Sequence, residues 1–558
     1  MRDRVLWGGL LGLTVLRLVV AAVTPLSPDE AYYWIWSHAL APGYLDHPPM
    51  VALWIAAGTA VLGQSALGVR LLGPLGCLGA SWLLYDAGRV LFPGTNAGRT
   101  GVLLLNASLI LGVGSIIMTP DTPLLVFWTA TLWAAARIVP AGSQVDDAPA
   151  NGALKEGAST GGASTGGASN GGASTGGAAR GRAGWWLVAG LCAGLALDSK
   201  YTAAFLWIGL GVWVIATPSL RGWLRRWEPY AGGLLGVLLF VPVLAWNARR
   251  GWVGLLKQGG RVGDWHPARA IGFLAELVGG QAGLATPVIF GLCMVGLVVA
   301  VRRGWVAARG RGDVAPMGRG HVAPMGRGHV AAMRHGHASA VRHGGAGDAR
   351  WSLLASLSVP PILVFVQHAL GDRVQGNWPA IIYPALALAA GAVAAEERTP
   401  SAMAAARRWV SAGLAIGFGV TALAYLQATT RLFPLPPRLD PISLRLAGWP
   451  VVADQVRGAP FVAVEGYAPA SEMAWSTAGP VLGTDRRWGL VDLPAMPIAG
   501  RTGLLLRDAG RTQPPDPALW ASAVPVGPVR RPGATDRGFM LFRVTGAPGV
   551  RLVRLPAR

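Results

Sequence analysis

Charge is scarce in this sequence. Asp, Glu, Lys and Arg make up 13% of its 558 residues, against about 25% in soluble domains. Hydrophobic residues make up 52%, and the mean hydropathy is +0.43. The chain therefore reads as a polytopic membrane protein, mainly α-helical. Cysteine is scarcer still: Cys77, Cys192 and Cys293 each sit inside an apolar run, a pattern that suggests neither a disulfide framework nor a zinc site. Acids are also few, 27 against 48 basic residues, for a net charge of +21. That excess does not mark a nucleic-acid binder. The arginines are scattered among apolar segments, form no basic face with interleaved aromatics, and accompany no nucleic-acid-binding motif. Positive charge so placed serves membrane orientation and phosphate-bearing ligands.

Eleven apolar segments can be counted as spans, from Val5–Val23, an uncleaved first span, to Trp409–Thr429. Thr100–Ile117 and Phe273–Val301 are each read as one of them, whereas Val51–Leu62 is too short to cross about 30 Å of hydrocarbon and is expected as a juxtamembrane or re-entrant helix. Low-complexity linkers occupy 143–182, with GGAST-type repeats, and 302–350, where VAPMGRGH occurs twice. Neither can build a core. Arginine placement puts the N-terminus and both linkers inside. Residues 1–430 are then a transmembrane core of about eleven helices. Residues 431–558 are a small α/β domain on the outer face, with strands at 460–468, 502–509 and 538–547 and a helical turn at 470–477.

This orientation, set by arginine alone, gathers the chain's unusual polar groups on the outer side. Asp29, Glu30, Asp46 and His47 crowd into one outer loop, 27–50, among Tyr32, Tyr33, Trp34 and Trp36. Asp121, Lys200, Arg261, Asn377 and Trp378 follow at the outer ends of later spans. Ionisable groups at a membrane boundary are costly to desolvate unless they have a task. A transporter would place such groups near the midplane in two matching halves, and a channel would need a filter or charge ring; neither pattern is evident. An enzyme acting where membrane meets water fits better. A lipid-linked sugar transporter or flippase and a non-catalytic membrane assembly subunit are the alternatives.

SPDEAYYWIWSHALAPGYLDHPPM, TPDTPLLVFW, DSKYTAAF and GNWPAIIYPALA, in that order, resemble the bacterial protein O-mannosyltransferase and aminoarabinose-transferase-like family of the glycosyltransferase C superfamily, over residues 1–430. The outer domain resembles the one that follows the core in that family. The resemblance implies an inverting transfer of a sugar from a polyprenyl (undecaprenyl-type) phosphate to an acceptor hydroxyl at the periplasmic face of a bacterial inner membrane. The acceptor is left as a lipid, a glycan or a protein. It also implies the roles. Asp29 is the general base, since a hydroxyl nucleophile needs a positioned carboxylate. Glu30 and Tyr33 join the substrate-binding set, as do Asp46 and His47, where relatives carry an acid-Lys-Pro-Pro sequence whose lysine meets donor phosphate. His47 replaces that lysine and matches its charge only when protonated; a hydrogen-bonded loop histidine is the other reading. Asp121, Lys200, Arg261, Asn377 and Trp378 complete the set, with a helix N-cap open for Asp121, snorkelling for Lys200, an interfacial belt for Trp378, and Arg249 or Arg250 in place of Arg261. No metal or other cofactor is assigned, although the acids and His47 together could accommodate a divalent ion that no spacing specifies.

Overall fold

The computed structural model describes residues 2–140, 173–260, 266–309, 346–396, 399–436, 440, 445–534 and 538–558. Every one of the eleven apolar segments falls on helix. By length and composition, seven helices among the described residues are able to cross a membrane, or up to eight if the bent pair Tyr201–Ala216 and Pro218–Arg225 is one span. The shortfall lies in segments that are short or broken. Thr100–Ile117 divides at Ser108 into helices Ala97–Ala107 and Leu109–Gly114, and the Ser108 hydroxyl accepts from Leu111 N to start the second. Phe273–Val301 is likewise not one rod. It splits between Ala270–Ala285 and Pro287–Arg309 at Thr286, whose φ of +69° is rare for a β-branched residue. Hydropathy alone does not register such breaks, because one hydroxyl residue, Ser108 or Thr286, barely lowers the average over an apolar run.

Small residues let helices approach closely. A Cβ on Gly190 would lie 1.9 Å from the carbonyl oxygen of Gly232, so the helices Ala173–Leu197 and Glu228–Arg249 touch backbone to backbone. Within the first helix, Arg2–Val23, Arg17 is 1% exposed and donates to Asn106 Oδ1 (2.9 Å) and Cys77 Sγ (3.2 Å), joining three helices through one side chain.

The stretch 27–50, expected as a loop, begins with a helix, Pro28–Ser37. Ser27 and Glu30 form a reciprocal capping box around Pro28 at the first helical position, a signature already legible as Ser-Pro-Asp-Glu. Val51–Leu62 is the 13-residue helix Met50–Leu62.

The C-terminal sheet has seven strands in the order β3-β7-β2-β1-β4-β6-β5: β1 Val462–Val464, β2 Val481–Gly483, β3 Ala495–Pro497, β4 Thr502–Asp508, β5 Trp520–Val529, β6 Phe539–Gly546 and β7 Arg551–Arg554. β1 pairs in parallel with β2 and β4, and the remaining pairs are antiparallel. The three strands read from sequence are β1, β4 and β6. β2, β3 and β7 are too short for a period to register, and β5 carries two prolines as an edge strand can. The helix Tyr467–Ser476 leads from β1 towards β2 and packs on Pro28–Ser37, with Trp475 edge-on to Trp34 at 4.9 Å and Tyr467 against Tyr32 at 4.8 Å. One apolar cluster thus runs from the 27–50 stretch into the sheet.

Candidate active site

A cavity of about 1780 Å³ opens at the Asp29 end of the helical core. Asp29, Glu30, Tyr33, Asp46, His47, Asp121, Lys200, Asn377 and Trp378 all line it. Nine of the ten residues expected from sequence are therefore together. The tenth, Arg261, lies outside the described residues.

Glu30 anchors one wall. It is fully buried, and Arg70, itself 2% exposed, grips it with two bonds, Nε to Oε1 at 2.6 Å and Nη2 to Oε2 at 2.7 Å. Ser27 N and Met118 N donate to the same carboxylate at 2.9 Å each. The remaining donors of Arg70 go to the carbonyls of Ala21, Thr24 and Pro25. This network pins the first turn of Pro28–Ser37 to the top of the first helix and to the segment before Asp121. Glu30 is thereby committed to structure, and Asp29 next to it faces the cavity.

Three carboxylates from separate segments meet here. Asp121 begins the helix Asp121–Ile138 yet makes no capping bond. It accepts instead from Lys200 Nζ and Asn377 Nδ2, each at 2.7 Å. Lys200 is turned inward, 7% exposed, and does not snorkel. Asp46 pairs with Lys257, accepts from the Tyr32 hydroxyl at 3.0 Å and lies 3.6 Å from Arg487. Burial raises the Asp46 pKa, but Lys257 and then His47 more than offset it, and the net shift is downward. Asp29 differs: it meets the Tyr467 hydroxyl at 3.4 Å, and burial, the largest influence, carries its pKa upward against the pull of Arg445. Burial, and then the charges of Asp29, Asp46 and Asp121, lift the Tyr33 hydroxyl well above its ordinary value. His47 stands edge-on to Tyr33 at 6.0 Å. Trp378 stands 5.6 Å from His368, another cavity residue. Among the described residues, no three His, Cys, Asp or Glu side chains are grouped as metal ligands would be.

Lys257, Arg70, His368, Arg445, Tyr467 and Arg487 are site residues that motif reasoning did not select. A signal for Lys257 was available. Lys155, Lys200 and Lys257 are the only lysines among 48 basic residues, and two of the three hold site carboxylates. Lysine's compact ammonium is not interchangeable with guanidinium. Tyr467 and Arg487 carried no such mark, because nothing local ties them to residues more than 400 positions away.

The interface under Tyr467 holds one further acid. Glu472 is 2% exposed, and burial, then Glu30 nearby, push its pKa well above the ordinary 4.5. A group that keeps its proton in the folded protein but loses it on unfolding stabilises fully below about pH 4.5, and that contribution declines as pH rises towards the folded value. Glu472→Gln is expected to flatten the decline, matching the parent near pH 4.5 and melting higher at pH 8. Parallel pH-dependent melting curves in detergent check this; identical slopes would show that Glu472 is ionised when folded.

A multi-pass helical core thus carries a carboxylate-lined cavity at one end and a small sheet module beside it. Residues 46–147 and 174–246 match the model of the Dolichyl-phosphate-mannose-protein mannosyltransferase family. It is 25% identical over 302 residues to the lipid A galacturonosyltransferase RgtD of Rhizobium johnstonii, covering 53% of this chain and 54% of that one. The chain thus spans about half the length of the curated relative it matches. Crystal structures of ArnT from Cupriavidus metallidurans, bound to undecaprenyl phosphate and apo, share its fold with TM-scores of 0.57 and 0.55 at 14% and 15% identity. Each covers 96% of this chain and 97% of ArnT.

Proposed function

We propose that this protein is an inverting glycosyltransferase. In this reading it moves a sugar from a polyprenyl (undecaprenyl-type) phosphate to an acceptor hydroxyl, at the periplasmic face of a bacterial inner membrane. The observation that carries the reading is the division of labour in one cavity: Asp46 and Asp121 each hold a lysine, while Asp29 meets a neutral hydroxyl and has a raised pKa. A base needs a pKa lifted towards the working pH. A departing phosphate needs fixed cations.

In the reaction the acceptor oxygen attacks the anomeric carbon, its proton passes to Asp29, and the bond from that carbon to the phosphate oxygen breaks. The electron pair leaves with polyprenyl phosphate. Lys257 is the cation we assign beside His47, supplying the charge that the histidine holds only when protonated; Lys200, set by Asp121 and Asn377, is the second. The cavity also has an apolar lining, Ala80, Leu111, Leu125 and Val126 among it, which suits an isoprenoid chain. The outer compartment has no pool of nucleotide sugars, which favours a lipid-borne donor. The match to the Dolichyl-phosphate-mannose-protein mannosyltransferase model and the fold shared with ArnT bound to undecaprenyl phosphate support the same donor class.

The test is transfer from a panel of synthetic polyprenyl-phosphate sugars, using purified protein and extracts of glycolipid, polysaccharide and envelope protein as acceptors. A glycosidic product with stoichiometric release of polyprenyl phosphate is expected. Sugar label that crosses proteoliposomes without forming a product would replace this reading with a transporter, and donor binding without turnover would replace it with an assembly subunit.

A further inference from the structure

We propose that the C-terminal sheet module is a working part of the active site: Tyr467 positions the Asp29 carboxylate, and Arg487 locks Tyr467 in place while tying it to Asp46. The proposal rests on the reading of Asp29 as the base. Tyr467 is the first residue of the helix that leaves β1, and its hydroxyl donates to Asp29 Oδ1 at 3.4 Å. A catalytic contact in an unliganded protein is commonly long and tightens with substrate. The ring of Tyr467 is held on both faces of the junction. Tyr32, on the same helix as Asp29, lies 4.8 Å away, and the Arg487 guanidinium sits 3.9 Å from the Tyr467 ring centroid, within the range of a strong cation–π contact.

Arg487 does more than cover a ring. It follows Asp485, which caps its turn and pairs with its Nε at 3.2 Å. Its Nη1 reaches Asp46 at 3.6 Å, and Asp46 in turn accepts from Tyr32. A continuous bridge, Asp29–Tyr467–Arg487–Asp46, therefore joins the base to the phosphate end of the cavity, and its two middle members come from the sheet module. A module that served only to cover the core would not need two polar side chains aimed at the two functional carboxylates. The groups that face Asp29 are Glu30 and Tyr33 on its own helix, Asp46 from the following loop, Arg445 from the segment before the sheet, and Tyr467 and Glu472 from the docked helix. Among them, Tyr467 is the hydrogen-bond donor to its carboxylate.

A donor to a carboxylate favours the charged form, so its removal raises the pKa. Tyr467→Phe keeps the ring and its stacking and deletes only the hydroxyl. Two readouts on the full-length protein test the proposal. The first is the pH dependence of Asp29 modification by a water-soluble carbodiimide, quantified by peptide mass spectrometry. The second is the acid limb of transfer from a polyprenyl-phosphate sugar. In Tyr467→Phe both are expected to move up by about half to one pH unit, with donor KM unchanged. Arg487→Gln should move them in the same direction and Arg487→Lys less so. If Tyr467→Phe leaves the labelling midpoint where it is in the parent, the positioning role is overturned. If the midpoint moves but the parent transfers no sugar, the positioning role stands and the transferase reading fails.

Discussion

Asp29→Asn is expected to lower sugar transfer by about 10²- to 10⁴-fold, the range attributed to a positioned general base, while affinity for polyprenyl phosphate stays within a few-fold. The amide preserves shape and the Tyr467 contact but cannot take a proton. Donor binding survives in this view because the cations assigned to phosphate, Lys257 and Lys200, are held by other acids, Asp46 and Asp121. The parent should show a pH profile to match. Asp29 titrates above the ordinary 3.8 because burial disfavours its charge. Transfer should therefore fall as pH drops through that raised value, losing activity at a pH where an exposed aspartate would remain ionised. Full transfer by Asp29→Asn, measured in membranes with a defined donor, would remove Asp29 from the chemistry.

Arg70→Met is expected to give the largest loss of stability. It strands the fully buried Glu30 carboxylate, which would keep only the Ser27 and Met118 amides. Removing one member of a buried pair typically costs about 3–5 kcal/mol, because the other charge is left uncompensated. Arg70 also satisfies three carbonyls at the end of the first helix, so the damage should spread to the turn that carries Asp29. The double variant Arg70→Met with Glu30→Gln should recover part of the loss, since no charge then remains buried. Melting of the detergent-solubilised parent, single and double variants decides the matter. A single variant as stable as the parent would mean that the ion pair contributes nothing net.

The Ser-Pro-Asp-Glu box carries a helix-start signal in its own chemistry, which the expectation of a loop passed over, whereas the burial of Glu30 under Arg70 and the cavity-facing position of Asp29 came only with the packing. Strands β1, β4 and β6 were legible because each is an apolar run bounded by Gly, Pro or charged residues. The break at Ser108 was not, since a short polar residue within an apolar segment is compatible with an unbroken helix, whereas the break at Thr286 carried a signal that hydropathy ignores, Pro287 at the start of the second helix.

Composition alone settled that this chain lives in a membrane, because a sequence so poor in charge has no other way to hide its apolar surface. Arginine placement, read against the positive-inside rule, brought the acids, Lys200 and the Gly-Asn-Trp-Pro segment to one expected side, and the structure gathers them around one cavity. Tertiary structure decided the partnerships. Lys200 reaches Asp121 across 79 residues, Lys257 reaches Asp46 across 211, and Tyr467 reaches Asp29 across 438. Helical and strand periods report which face a residue occupies, never which distant residue it will meet. Each of those pairings follows from helix packing and from the docking of the sheet on Pro28–Ser37, and so only the folded chain reveals which acids hold a lysine and which one meets a tyrosine hydroxyl instead.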